Sequence, residues 1–377
     1  EATVSPATLT FTSGNWNSAQ TVTVTGVNDS LIDGSQNTTI TMSVVDEISN
    51  DNFDPLANQT VTAATTDDDT AGFTVTQSGG STSVAESGTT DTFTVVLNAQ
   101  PASDVVISAS SGDTGEATVS PATLTFTSGN WNSTQTVTVT GVNDSLVDGT
   151  QTSTLTLSVV DGSSDNNFDP VADQTVSVTT TDDDTAGFTV VQSDGSTSVA
   201  ESGSTDTFTV VLNAQPTSDV VISVTSGDTG EATVSTGTLT FTSGNWNSAQ
   251  TVTVTGVDDS LVDGSQTTTA TISVVDASSD DDFDGVANQT VSITTTDDDT
   301  AGFTVAISGG STSVAESGST DTFTVVLNAQ PASNVVISVT SGDTGEATVA
   351  PATLTFTSGN WNSAQTVTVT GVDDSLV

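Results

Sequence analysis

The 377 residues contain no lysine, arginine, histidine or cysteine. Each absence removes a class of chemistry. Without histidine, no side chain shuttles protons near neutral pH and no imidazole is available to a metal. Without lysine or arginine there is no phosphate clamp, no Schiff base, no Lys–Asn isopeptide crosslink and no electrostatic footprint for nucleic acid. Without cysteine there is neither a disulfide nor a thiolate zinc site, and cysteine usage says nothing of the redox compartment. Nor does any apolar run approach the roughly 20 residues of a membrane helix, so direct membrane insertion is not expected.

What is present is acid. The chain carries 47 Asp and Glu for a formal charge of −47. Such a surface repels anionic membranes and nucleic acids alike. High net charge with low hydrophobicity is also the mark of a disordered tether, but the patterning opposes that reading. "TLTFT", "TVTVT", "TFTVVL" and "TLTLSVV" alternate apolar and hydroxyl residues with period two, as half-buried strands do. Threonine and valine favour strands as well.

The segment "EATVSPATLTFTSGNWNS" at Glu1 returns in near-identical form at Glu116, Glu231 and Glu346, always 115 residues on. Trp16, Trp131, Trp246 and Trp361 keep the same spacing. That period is too long for a solenoid unit and suits one small domain. The triplet of aspartates before "TAGF" is the natural seam. It gives complete repeats at 70–184 and 185–299, the back of a repeat at 1–69 and the front of another at 300–377. The two partial pieces together exceed one repeat, so a tidy exchange of halves between chains is not expected. A window on a longer array is.

Within 70–184 the pattern predicts seven strands, near 72–77, 91–98, 104–110, 122–127, 135–141, 151–160 and 173–181. Seven short alternating strands without a helical pattern predict an all-β fold, a tandem array of immunoglobulin-like β-sandwiches. Their inward positions include Phe73, Val75, Phe93, Val95, Leu97, Val105, Ile107, Leu124, Phe126, Val137, Val139, Leu155, Leu157, Val159, Val176 and Val178.

If the strands run alternately up and down, the loops after the first, third, fifth and seventh share one pole. Those loops carry Glu86, then Asp113 and Glu116, then Asp144 and Asp148, then Asp182, Asp183 and Asp184. The corresponding carboxylates are Asp29, Asp33, Asp67, Asp68 and Asp69 in the first partial repeat. They are Glu201, Asp228, Glu231, Asp259, Asp263, Asp297, Asp298 and Asp299 in the second complete repeat, and Glu316, Asp343 and Asp374 in the last. Clustered carboxylates raise one another's pKa values and call for protons or a hard cation. Ca²⁺ takes six to eight oxygens in irregular geometry, whereas Mg²⁺ demands a stricter octahedron and Zn²⁺ prefers His or Cys. Calcium is the expected cofactor; the plainer alternative is a solvated acidic end that aids solubility.

"VAESGTTDTFTVVL", "TVTVTGVNDSLVDG" and "TTTDDDTAGF" resemble Calx-beta domains, the calcium-binding sandwiches of sodium–calcium exchangers and of large bacterial surface proteins. The resemblance covers every repeat and is most specific at the Asp triplet before Ala-Gly-Phe. It implies calcium ligation by the positions of Glu86, Asp144 and Asp182–Asp184, which the loop parity also gathers. The chain departs from the family in offering only Asp148 after the middle pair, and in Asn143 where Asp258 and Asp373 stand in later repeats.

At the other pole, "DDDFDG" at 280–285 opens like a calcium loop through Asp280, Asp282 and Asp284. Its twelfth position is Val291 rather than Glu, so it is not an EF-hand. A turn held by Asx hydrogen bonds is the competing reading. Each Trp beside Gly and Asn reads as a packing plug in preference to a sugar-stacking platform. "NQT" at Asn58 and "NST" at Asn132 are weak sequons in so Ser/Thr-rich a chain.

With almost no linker between repeats, and about 40 Å per bead from strand lengths at roughly 3.3 Å per residue, the expectation is a secreted or cell-surface rod, fibre or matrix filament stiffened by calcium. Its partners are neighbouring repeats and, in fibres, other copies, whose side-by-side packing needs divalent bridging or high salt. A calcium-dependent adhesin stalk that binds glycans or other cells is the alternative. A glycosidase-like carboxylate pair and a threonine-ladder ice or mineral binder are further readings with less behind them, and no enzyme is expected.

Overall fold

The structure, a computed structural model, describes residues 1–373. Its contacts divide into two compact units. One comprises Glu1–Asp144 with Asp148–Asp183; the other comprises Ser145–Val147 with the chain from Asp184 onward.

The first unit contains a complete sandwich. Its four-stranded sheet runs in the order Phe73–Gln77, Thr90–Leu97, Gln135–Gly141, Ala117–Ser120. Its five-stranded sheet runs Thr123–Phe126, Val105–Ser111, Gln151–Val159, Gln174–Thr181, Thr82–Ala85. Neighbours are antiparallel except Thr82–Ala85, which runs parallel to Gln174–Thr181. The period-two pattern sets which face is buried. Val137 and Val139 point inward while Thr136 and Thr138 lie outward, and Val137 faces Phe93 across the ladder.

The sandwich has nine strands where the pattern predicts seven. Both additional strands arise where one edge segment divides between the sheets. Phe73–Gln77 pairs in one sheet and, after a turn with Gly79 at φ 62° and Gly80 at φ 84°, Thr82–Ala85 pairs in the other. Ala117–Ser120 and Thr123–Phe126 divide in the same way. The two that the pattern misses, Thr82–Ala85 and Ala117–Ser120, are four residues long, so their alternation is too short to read. Because each division keeps the strand direction, the loop parity survives it.

Phe93, Phe126, Ile107, Leu155 and Leu157 are fully buried, and each such side chain removed from water contributes about 1.5–3 kcal/mol. Val75 and Val159 are only partly buried. Phe168, in the acidic "DNNFDP" loop, is instead fully buried, because a turn closed by Phe168 N–H on Asp165 O (2.8 Å) aims its ring inward. The remaining strands of this unit pair Ala2–Ser5 with Thr23–Gly26 and Gln36–Met42 with Gln59–Thr65.

The second unit repeats the nine-stranded design between Phe188 and Thr296, around Phe208, Phe241, Ile272 and Phe283. A further apolar cluster gathers Val325, Leu327, Leu354, Phe356 and Val367. Trp131, Trp246 and Trp361 pack against the three cores, and their carbonyls accept the N–H of Leu97, Leu212 and Leu327 at 3.1 Å. They are packing plugs, whereas Trp16, in the first partial repeat, is 71% exposed and departs from that reading. Among the described residues, no helix is long and apolar enough to cross a membrane.

Candidate metal centre

Glu201 follows the strand Thr197–Ala200, and its N–H donates to Thr296 O at 3.1 Å. Gly203, at φ 87°, closes the turn beyond it. The strand Gln250–Gly256 passes so close that a Cβ on Gly256 would lie 2.1 Å from Ala200 O. Only glycine permits that approach, and it delivers the loop carrying Asp259 and Asp263 beside Glu201. Val257 N–H then fastens to Glu231 O at 2.9 Å. Ligand-type oxygens of Glu201, Asp259 and Asp299 all lie within 4.8 Å of one another. In the first unit, Glu86, Glu116 and Asp148 are gathered equally closely.

The electrostatics are those of acid enclosed with acid. Glu86 and Glu201 are each only 1% exposed. Burial, and then the charges of Asp182, Asp144, Glu116 and Asp148, push Glu86 up to about 7. Burial followed by Asp259, Asp297, Glu231 and Asp263 does the same to Glu201, also to about 7. Glu116 and Glu231 are raised for the same reasons, burial first. Oε2 of Glu86, Glu116, Glu201 and Glu231 is buried with no hydrogen-bond donor, as are Oδ1 of Asp263 and Oδ2 of Asp299.

The triplet divides its labour. Its first member is a clamp: Asp67 Oδ2 accepts the N–H of Asp33 and Gly34 at 3.0 and 2.9 Å, and Oδ1 accepts Asp69 N–H at 2.9 Å. Asp182 receives Asp148 and Gly149 at 3.1 and 2.9 Å. Backbone donation from Asp69 and Gly34 holds Asp67 below the ordinary carboxylate value, and donation from Gly264 and Asp299 does so for Asp297. The third member faces the acidic cluster, and burial followed by neighbouring aspartates raises Asp69 and Asp299. Asp184 is half-buried like them, whereas the middle residues, Asp68, Asp183 and Asp298, are exposed. The alternating burial of the preceding strand continues through the triplet just beyond its end.

Other expected residues lie at the margin. Asp113, Asp228 and Asp343 are exposed, and each accepts the N–H of the glycine two residues on. Asp113 and Asp228 still act on Glu116 and Glu231 through their charge. Asp29 and Asp259 each accept the N–H of the leucine two residues on. Glu316 is exposed, and Asp374 lies outside the described residues.

The opposite pole is built differently. Asp280 is 3% exposed, and its carboxylate accepts Thr217 O–H (2.7 Å), Ser218 N–H (2.6 Å), Ser218 O–H (3.3 Å) and Asp282 N–H (3.2 Å). Burial raises its pKa, but those bonds outweigh burial and hold it below the ordinary value. Asp165 is engaged likewise by the N–H groups of Ala102, Ser103 and Asn167. These are Asx-fastened loops. Asp282 and Asp284 stand exposed beside Asp280.

No family model and no curated protein matches the chain. Among solved structures, calcium binding domain CBD12 of CALX1.1 is 14% identical, over 53% of this chain and 79% of that one, with a TM-score of 0.23. Domains 4 and 5 of the S-layer protein SbsC are 18% identical, over 60% and 99%, with a TM-score of 0.25. Titin domains I67–I69 are 9% identical, over 78% and 86%, with a TM-score of 0.26.

Proposed function

We propose that the acidic poles hold calcium and that the chain is a structural extracellular array, secreted or displayed at a cell surface, whose joints stiffen when calcium binds. One observation carries the reading. Glu201, Asp259 and Asp299 converge within 4.8 Å, with buried oxygens that no donor reaches, in a chain without one cationic side chain. Water can donate to single oxygens, but the mutual repulsion of three converging carboxylates is relieved by protons or a cation. An all-oxygen, carboxylate-rich set of irregular geometry suits calcium better than magnesium or zinc. Glu201, Glu231, Asp259, Asp263 and Asp299 would hold the ion in one repeat, and Glu86, Glu116 and Asp148 in another. The cation neutralises the cluster and ties together loops that otherwise repel.

Near-identity of the repeats favours a spacer over a set of recognition heads, and the short connection through the triplet favours stiffness. The test is thermal unfolding and small-angle scattering of the whole chain with calcium and with excess chelator. Chelation is expected to lower the melting temperature markedly and shorten the particle. An unchanged melt and an unchanged scattering profile would overturn the reading.

A further inference from the structure

Ile32 stands between Asp29 and Asp33 of its own repeat's acidic loop, yet its side chain is buried in the core of the following repeat. It is 8% exposed and belongs to the cluster built from residues 73–178. Leu31 forms a parallel bridge with Gln100. Ile32 N–H donates to Gln100 O at 3.0 Å, and Gln100 N–H donates to Ser30 O at 2.7 Å. Asn167 Nδ2 adds a bond to Ile32 O at 3.2 Å.

The second unit repeats the arrangement. Leu146–Val147 pairs in parallel with Gln215–Pro216, and Val147 joins the cluster of residues 188–293. Leu261–Val262 pairs in the same way with Gln330–Pro331, and Gln330 N–H reaches Ser260 O at 2.7 Å. A short loop therefore has two attachments. Its ends carry carboxylates and are clamped by the first aspartate of the triplet, as Asp297 clamps Asp263 and Gly264. Its middle is apolar, with Ile32 and Val147 buried in the following core and Val262 half-buried, and the socket that takes it is the "NAQP" turn of the next repeat.

We propose that this loop is a coupling element: cation binding at one acidic pole and seating of the plug in the next repeat favour each other. The proposal rests on the calcium reading above. A cation that fixes Asp259 and Asp263 restrains the loop between them, so Val262 docks at lower entropic cost. A docked plug in turn holds those carboxylates ready for the ion. The two effects are one coupling free energy and are equal in size.

The experiment uses the whole chain and calcium alone, followed by calorimetric titration and small-angle scattering. One variant empties the plugs: I32S with V147S and V262S. The second alters only the sockets, far in sequence from the preceding acidic loop: Q100P with Q215P and Q330P, which removes the N–H that docks the loop. The control I32V introduces the residue that the other two plugs already have. Plug and socket variants are expected to bind calcium about fivefold or more weakly and to lose calcium-dependent lengthening, while I32V behaves as wild type. If the plug variant unfolds, the socket variant carries the test alone. A folded variant with wild-type affinity and wild-type lengthening overturns the coupling and leaves the calcium reading standing. A wild-type chain that takes up no calcium overturns both.

Discussion

The Asp297 carboxylate accepts the backbone N–H of Asp263 at 3.1 Å, and it also receives Gly264 at 2.8 Å and Asp299 at 2.8 Å. It is the fastening of the acidic loop, whereas Asp298 one residue on is exposed. Asp297→Ala leaves three donors without their acceptor and is expected to lower the urea midpoint in chelator. Asp298→Ala is expected to change stability by less than about 0.5 kcal/mol. Urea unfolding of both variants decides the matter, and equal midpoints would refute the division of roles.

The raised glutamates make a prediction about pH. Glu86 and Glu201 sit at about 7 in the folded chain against an ordinary 4.5. Between those values the folded state holds protons that the unfolded chain has released, so stability falls as pH rises. The calcium-free chain is therefore expected to be more stable near pH 5 than near pH 7.5. Asp67 and Asp297 act oppositely but lower on the scale. Their stabilisation is present above the ordinary value of 3.8 and is lost as pH falls through their depressed folded values. Calcium must displace the glutamate protons, so its affinity is expected to rise over the window in which metal-free stability falls. Urea midpoints at both pH values, with calcium and with chelator, test the sign.

Gly256 supplies a prediction of shape. A Cβ there would meet Ala200 O at 2.1 Å, and the obstacle is backbone that cannot swing away. Gly256→Ala is expected to destabilise by about 1–3 kcal/mol and to weaken calcium binding, because Glu201 follows Ala200 directly. Gly237→Ala, with open space around its Cβ, is the control and should leave calcium affinity unchanged.

Alternation and loop parity are legible in the sequence because both depend on period two alone. Val137, Val139, Leu155 and Leu157 are buried as the pattern requires, and Glu86, Glu116 and Asp148 meet as parity requires. Three features were hidden, each for a physical reason. Phe168 and Phe283 lie in polar loops, where no alternation marks an inward residue, and only a turn directs them into the core. Gly141 and Gly256 look like ordinary strand ends, since a close approach depends on what passes opposite. Ile32 reads as one apolar residue in an acidic loop, because its partner lies in another repeat. Within the triplet, equal residues acquire unequal roles from the alternation of an extended chain.

The second pole separates a fastened carboxylate from a ligand. Asp280 is satisfied by Thr217, Ser218 and Asp282, and Phe283 beside it is fully buried. Phe283→Ala is expected to cost about 3–5 kcal/mol through the cavity it leaves. Asp282→Asn with Asp284→Asn removes two exposed charges and is expected to preserve both stability and calcium stoichiometry. At the first pole, Glu201→Gln with Asp299→Asn is expected to lower the stoichiometry, because it neutralises two carboxylates of the converging set. It should also stabilise the chelated chain near neutral pH, since it relieves the repulsion of Glu201 by Asp259 and Asp297. Loss of an ion from the Asp282 and Asp284 variant would show that exposed aspartates at this pole bind calcium despite the internal bonds of Asp280.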